Sequence, residues 1–236
     1  MRMPLQRSSP GSPPSNVPVH RGLWLIVGSW VAIELLMAAA DRGIVSPFFS
    51  RWVLYSGFGF EDVVFEQALS GNGVQPKLIW SLVSHAFLHG GWPHLLLNAA
   101  AFLGLAHGIS RDAGFGATFV IFLVTAAAGA VTFGLSTESW APLVGASGAV
   151  FGLLGVLTCW QERWLASQGA ARDAIWARIA GVIAINLLMA IGFGDLQIAW
   201  QAHLGGFAMG WLMGYVYPPI HHARRARERF LRPPMT

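Results

Sequence analysis

Charge is scarce in this chain, and cysteine is nearly absent. Only 11% of its 236 residues are charged and 54% are hydrophobic, whereas a soluble domain carries roughly 25% charge. The shortfall runs along the whole chain, and the mean hydropathy is +0.52, so most of the surface is expected to face lipid. The lone cysteine, Cys159, lies in an apolar run, which excludes internal disulfides and any cysteine-based metal centre. A formal charge of +4 raises the question of nucleic acid. The arginines, however, gather at the two ends and in short links between apolar runs, so no nucleic-acid partner is expected.

Two hydrolase signatures are also missing. His85 and His89 stand four apart, but the Glu of a zinc-protease H-E-x-x-H motif is not there. Gly145-Ala146-Ser147-Gly148-Ala149 lacks the closing glycine of the G-x-S-x-G elbow, and no strand pattern precedes it, so an α/β-hydrolase is excluded.

What is present is apolar length. Six runs approach the ~20 residues that cross a ~30 Å hydrocarbon core: Leu23–Ala40, Trp92–Ile109, Phe115–Leu135, Ala141–Trp160, Ala174–Phe193 and Ile198–Tyr217. In the fifth, Arg178 sits near enough to the start to snorkel to the interface. Ala38-Ala39-Ala40 resembles a signal-peptidase site, but Glu34 and the long preceding tail favour a retained helix. Residues 1–21, rich in proline, serine and arginine, read as a disordered tail. Residues 218–236 form a basic tail, leaving 22–217 as the folded domain. The expected fold is an all-α membrane protein, a bundle of six transmembrane helices.

Six spans put both termini on one side, and that side takes 12 of the 15 basic residues; the other keeps Arg42, Arg51 and Lys77. Both ends are therefore expected in the cytoplasm. The first outer loop, about Asp41 to Gly91, is dense in aromatic residues between Phe48 and Phe60. Two readings stay open for it: a segment lying among lipid headgroups, or a loop packed on the bundle's outer end. Gly71-Asn72-Gly73 marks a turn within it.

Polar side chains at membrane depth are costly and call for a reason. His94 and Asn98 open the second run, Ser147 lies early in the fourth, and His203 lies in the sixth. Each sits within about six residues of its run's outer end, no more than ~9 Å deep at 1.5 Å per residue. Three helices thus bring a hydroxyl, two imidazoles and an amide to one layer, the parts needed for acyl transfer. Glu34 and Asn186 are further polar intruders without an evident partner. Gly206, Gly210 and Gly214 follow His203 at four-residue spacing, and Gly148, Gly152 and Gly155 follow Ser147. Small residues so spaced let helix backbones approach closely in lipid. If those two glycine faces meet, Ser147 and His203 come within reach of each other. A serine at a helix start would also have free N–H groups and the positive end of the dipole beside it.

These residues resemble a known family. His85-Ala86-Phe87-Leu88-His89, continuing to His94 and Asn98, is similar to the rhomboid H-x3-H-x4-H-x3-N signature. Gly145-Ala146-Ser147-Gly148 resembles its G-x-S-G motif, and Ala202-His203-Leu204-Gly205-Gly206 its A-H-x-x-G motif. The resemblance covers about residues 23 to 217 and implies an intramembrane serine endopeptidase. It implies Ser147 as nucleophile, His203 as base in a dyad without an acidic third member, and His94 and Asn98 as oxyanion donors. Gly145, Gly148, Phe151 and Gly206 would support them, with Phe151 where relatives set an aromatic ring against the histidine. It further implies single-span membrane proteins as substrates, cut near the outer face of the bilayer, with no cofactor and no metal. His85 and His89 are expected to pair with loop backbone; a zinc site from His85, His89 and His94 is the alternative. Where relatives often carry Trp-Arg, this chain has Trp80-Ser81, which leaves open how the first loop is anchored.

Two other classes compete. An inactive relative that binds membrane clients would usually have lost Ser147 or His203, and neither is lost. A transporter would show paired acidic residues or inverted repeats, and neither is evident. The arginine-rich tails fit a bacterial inner membrane, with an organelle membrane as the alternative.

Overall fold

A computed structural model describes residues 18–136, 139, 141–192 and 199–219. The two terminal tails, expected over 1–21 and 218–236, lie almost wholly outside the described residues. Among the described residues the fold is all-helical, apart from one isolated bridge between Phe60 and Leu143. Six long helices are α1 (Arg21–Asp41), α5 (Trp92–Ala113), α6 (Phe115–Ser136), α7 (Ser147–Ser167), α8 (Asp173–Gly192) and α9 (Trp200–Val216). Three short ones, α2 (Arg51–Phe58), α3 (Asp62–Leu69) and α4 (Pro76–Ser84), occupy the connection between α1 and α5.

By length and composition alone, α1 and α6 are apolar enough to cross a membrane, with mean hydropathies of 2.0 and 2.1. The others are diluted by polar residues or shortened. α7 carries Gln161, Glu162 and Arg163 near its end, and α9 has 17 residues.

The helix ends follow local chemistry. The His20 imidazole caps α1, its Nδ1 accepting from the Gly22 N–H at 3.0 Å. α5 stops at Gly114, whose φ of 90° suits glycine and whose N–H closes the last turn on Ser110. The fourth apolar run begins at Ala141, yet α7 begins only at Ser147. Residues 141–146 instead form a non-helical approach, in which a left-handed Gly145 (φ 118°) interrupts any earlier start.

One core cluster joins α1, α5, α6 and α7 around buried Trp30, Phe102 and Phe122. A second sets Phe60 and Val64 of the connection between α1 and α5, and Leu78 of α4, on Ala130 and Phe133 of α6. The closest pairing in the bundle is α7 with α9. A Cβ on Gly206 would overlap the Gly148 carbonyl, and one on Gly210 the Gly152 carbonyl. Lipid offers no hydrophobic reward for helix association, so van der Waals contact of this kind supplies the adhesion. The glycine faces do meet.

The connection between α1 and α5 both packs and exposes. Phe60 is fully buried, while Phe48 and Trp52 point outward. Gly71 and Gly73 both take positive φ, as a turn there requires.

Candidate active site

Ser147 is the first residue of α7, and His203 the fourth of α9. With the glycines holding the two backbones together, Nε2 of His203 lies 2.8 Å from Oγ of Ser147. The imidazole is buried and Ser147 half-buried. Phe151, one turn further along α7, stacks on the His203 ring with centroids 4.4 Å apart and planes 13° apart. Gly148 lies under α9, where a Cβ would stand 3.2 Å from the Ala202 carbonyl.

The segment before Ser147 is fixed from two sides. Leu143 exchanges backbone hydrogen bonds with Phe60, and the Gly145 N–H donates to the His85 carbonyl at 2.9 Å. The N-cap residue of α7, Ala146, offers no capping side chain. The first N–H groups of the helix are therefore available to an oxygen of a ligand.

His94, the third residue of α5, lies against this approach: a Cβ on Gly145 would stand 2.6 Å from its Cε1 and 2.8 Å from its Nε2. The Gly90 N–H donates to His94 Nδ1 at 3.2 Å. An accepting Nδ1 puts the proton of the neutral ring on Nε2, making that atom a donor on the Gly145 side. Asn98, buried one turn later, donates from Nδ2 to the His94 carbonyl at 2.9 Å.

Two of the polar intruders have partners that sequence reasoning missed. Oδ1 of Asn186, in α8, lies 2.8 Å from Nδ1 of His203. The dyad has no acidic third member here, but an amide from α8 meets the far side of the imidazole. The signal was a lone Asn in an apolar run, but its partner depended on how α8 meets α9. Glu34 of α1, 1% exposed, pairs with Arg51 of α2 at 2.8 Å. This neighbour holds the guanidinium even further above its ordinary range, against the opposing effect of burial.

Arg51 and the Tyr55 hydroxyl both donate to the His89 carbonyl, at 2.8 and 2.7 Å. The first loop is thus anchored by Arg51, while Ser81, beside Trp80, is buried and bonds within its own helix. His85 pairs its Nδ1 with the Ser81 carbonyl at 2.9 Å, and burial pushes the imidazole down to about 4. The His89 carbonyl carries the contacts of Arg51 and Tyr55, and its buried ring packs against Trp30 and His94. Among the described residues no three His, Cys, Asp or Glu side chains gather as metal ligands. A cavity of about 570 Å³ lies elsewhere, lined by Asp112, Trp160, Arg163 and Trp164, and touches none of these side chains.

Comparison with known proteins agrees with this architecture. The family model for the Rhomboid domain matches residues 76–220. RHOMBOID-like protein 4 of Arabidopsis thaliana is 34% identical over 141 residues, covering 58% of this chain and 34% of that protein. Rhomboid protease GlpG of Yersinia pseudotuberculosis serotype I (strain IP32953) is 32% identical over 148 residues, covering 61% of this chain and 50% of that protein. The aligned part thus spans a third to a half of these relatives' length. With its motifs on α5, α7 and α9 and more than half its length under the family model, the chain belongs to the rhomboid family of integral membrane proteins.

Proposed function

We propose that this protein is an intramembrane serine endopeptidase that cuts single-span membrane proteins near the outer face of the bilayer. One observation carries the reading: the 2.8 Å hydrogen bond between Ser147 Oγ and His203 Nε2. A hydroxyl is a weak nucleophile at neutral pH and needs an adjacent base.

In the proposed reaction, Ser147 Oγ bonds to the scissile carbonyl carbon as its proton passes to His203 Nε2. The carbonyl oxygen becomes an oxyanion, which takes hydrogen bonds from the start of α7, from His94 Nε2–H and from the second Nδ2 proton of Asn98. Losing one such donor typically costs ~10²–10³ in rate. The C–N bond then breaks and His203 returns its proton to the leaving amine. Water, entering from the outer end, releases the acyl group by the same steps. Gly145 makes room for His94, Gly148 and Gly206 bring α9 against α7, and Phe151 holds the plane of the His203 ring.

Around this site the six long helices of the folded domain, taken as residues 22–217, span the membrane with both termini in the cytoplasm, in a bacterial inner membrane. Twelve of the 15 basic residues fall on that side. The test uses purified protein with a fluorophosphonate probe and a model single-span substrate. Labelling and cleavage should disappear together in Ser147→Ala and in His203→Ala, and chelators should change neither. Labelling that persists in Ser147→Ala would defeat the reading.

A further inference from the structure

An amide inside a membrane-crossing helix is costly unless both of its ends find partners. Asn186 is 4% exposed and finds two. Its Nδ2 donates to the Val182 carbonyl, one turn back in α8, at 2.8 Å. A carbonyl can only accept, so that bond decides which end of the amide is nitrogen. The oxygen is therefore the end that faces α9, 2.8 Å from Nδ1 of His203.

An amide oxygen has no proton to give, so Nδ1 must carry one. A neutral imidazole has a single N–H. Nε2 is thereby left with a lone pair, directed at the Ser147 hydroxyl 2.8 Å away. The opposite tautomer would set a lone pair against the Asn186 oxygen and an N–H against the hydroxyl. Phe151 cannot make this distinction. Its stacking fixes the ring plane, but turning the ring over within that plane keeps the stack and exchanges the nitrogens for carbons.

We propose that Asn186 is a positioning residue, which holds His203 in the Nδ1–H tautomer and in the ring orientation that presents a bare Nε2 to Ser147. The proposal rests on the Ser147–His203 reading above. During attack the Ser147 proton moves to Nε2, and Nδ1 keeps its own proton throughout, donated to Asn186. The doubly protonated ring that forms is then stabilised by the amide oxygen, without the cost of desolvating a carboxylate at this depth. Because the helper is neutral, its loss should cost less than the ~10⁴ that accompanies a wrong tautomer in a soluble serine protease.

The test compares wild type, Asn186→Leu, Asn186→Asp and Ser147→Ala, each labelled with ¹⁵N-histidine. The His203 resonances are identified by their loss in His203→Gln. Wild type should show the proton on Nδ1. Asn186→Leu should lose that preference and slow kcat about 10- to 100-fold with KM unchanged.

Asn186→Asp, nearly the same shape, should keep the Nδ1 proton and most of kcat. It should also move the acidic limb of the pH profile to higher pH, because a carboxylate favours the charged ring. His94, on α5, is the titratable neighbour acting on His203 among the described residues, and it is common to every variant. If Asn186→Leu fails to fold, the Asp variant and the wild-type spectrum still decide.

A wild-type proton on Nε2 would overturn the proposal, and so would variants with unchanged tautomer, kcat and pH limb. Cleavage that survives in Ser147→Ala would instead defeat the dyad reading, while the spectra continue to report on the hydrogen bond to Asn186.

Discussion

Along the seam between α7 and α9, backbones touch through Gly148, Gly152, Gly206 and Gly210. The connection between α1 and α5 is held in a contrasting way, by the Arg51–Glu34 pair, by hydrogen bonds to the His89 carbonyl and by the Phe60–Leu143 bridge. The seam depends on the absence of side chains, the connection on charge and polarity. Each suits its surroundings. Inside lipid, close approach gives adhesion without polar groups to desolvate. In the connection, hydrogen bonds add direction to the apolar packing of Phe60, Val64 and Leu78. Both converge on Ser147, the seam bringing its base and the connection fixing its approach.

The sharpest way to break the contrast is to add atoms to the seam. Gly210→Val lies two turns below His203, yet its side chain would collide with the Gly152 backbone. It should cost about 3 kcal/mol or more and abolish activity, because a shift near 1 Å breaks a 2.8 Å hydrogen bond. Unfolding in detergent and fluorophosphonate labelling check both effects.

Acid tests the connection next. His85 has its pKa depressed to about 4 in the folded protein, so between the ordinary 6.5 and 4 the unfolded chain binds more protons. Stability from this group is complete above about pH 6.5 and falls as pH drops towards 4, by up to about 3 kcal/mol. His85→Gln should flatten that dependence in thermal unfolding measured from pH 7 to 4.

Removing the anchor should do somewhat less. Arg51→Ala strands the buried Glu34 carboxylate, and since Arg51 is itself partly exposed the loss is about 2 kcal/mol, below the usual range for a broken buried pair. Adding Glu34→Gln should restore part of that loss, a recovery that chemical unfolding of the double variant would reveal. Smallest of all is Trp52→Ser, on the outward face of α2 at 80% exposed. It should change stability by less than about 0.5 kcal/mol and leave cleavage within about twofold.

Much of this was readable before any coordinates. Apolar run length located the six long helices, although among the described residues only α1 and α6 are long and apolar enough to cross a membrane. Their ends were less clear: α7 starts at Ser147 rather than 141, since the decisive fact is the left-handed backbone of Gly145. The residues now proposed for the site were legible as polar groups out of place. Partnerships were not. Asn186 and Glu34 stood out, but whether each was stranded or satisfied depends on helix rotation and on a loop folding back across the bundle, which no local pattern encodes. His89 illustrates the same limit, because its carbonyl receives Arg51 and Tyr55, a contact that no side-chain pattern encodes.

The central claim is that Ser147 becomes nucleophilic through His203. Mass spectrometry of peptides from fluorophosphonate-treated protein tests it most directly. The account predicts an adduct on Ser147 that forms in wild type and fails to form in His203→Ala. An adduct on any other residue, or one on Ser147 that forms equally fast without His203, would contradict it.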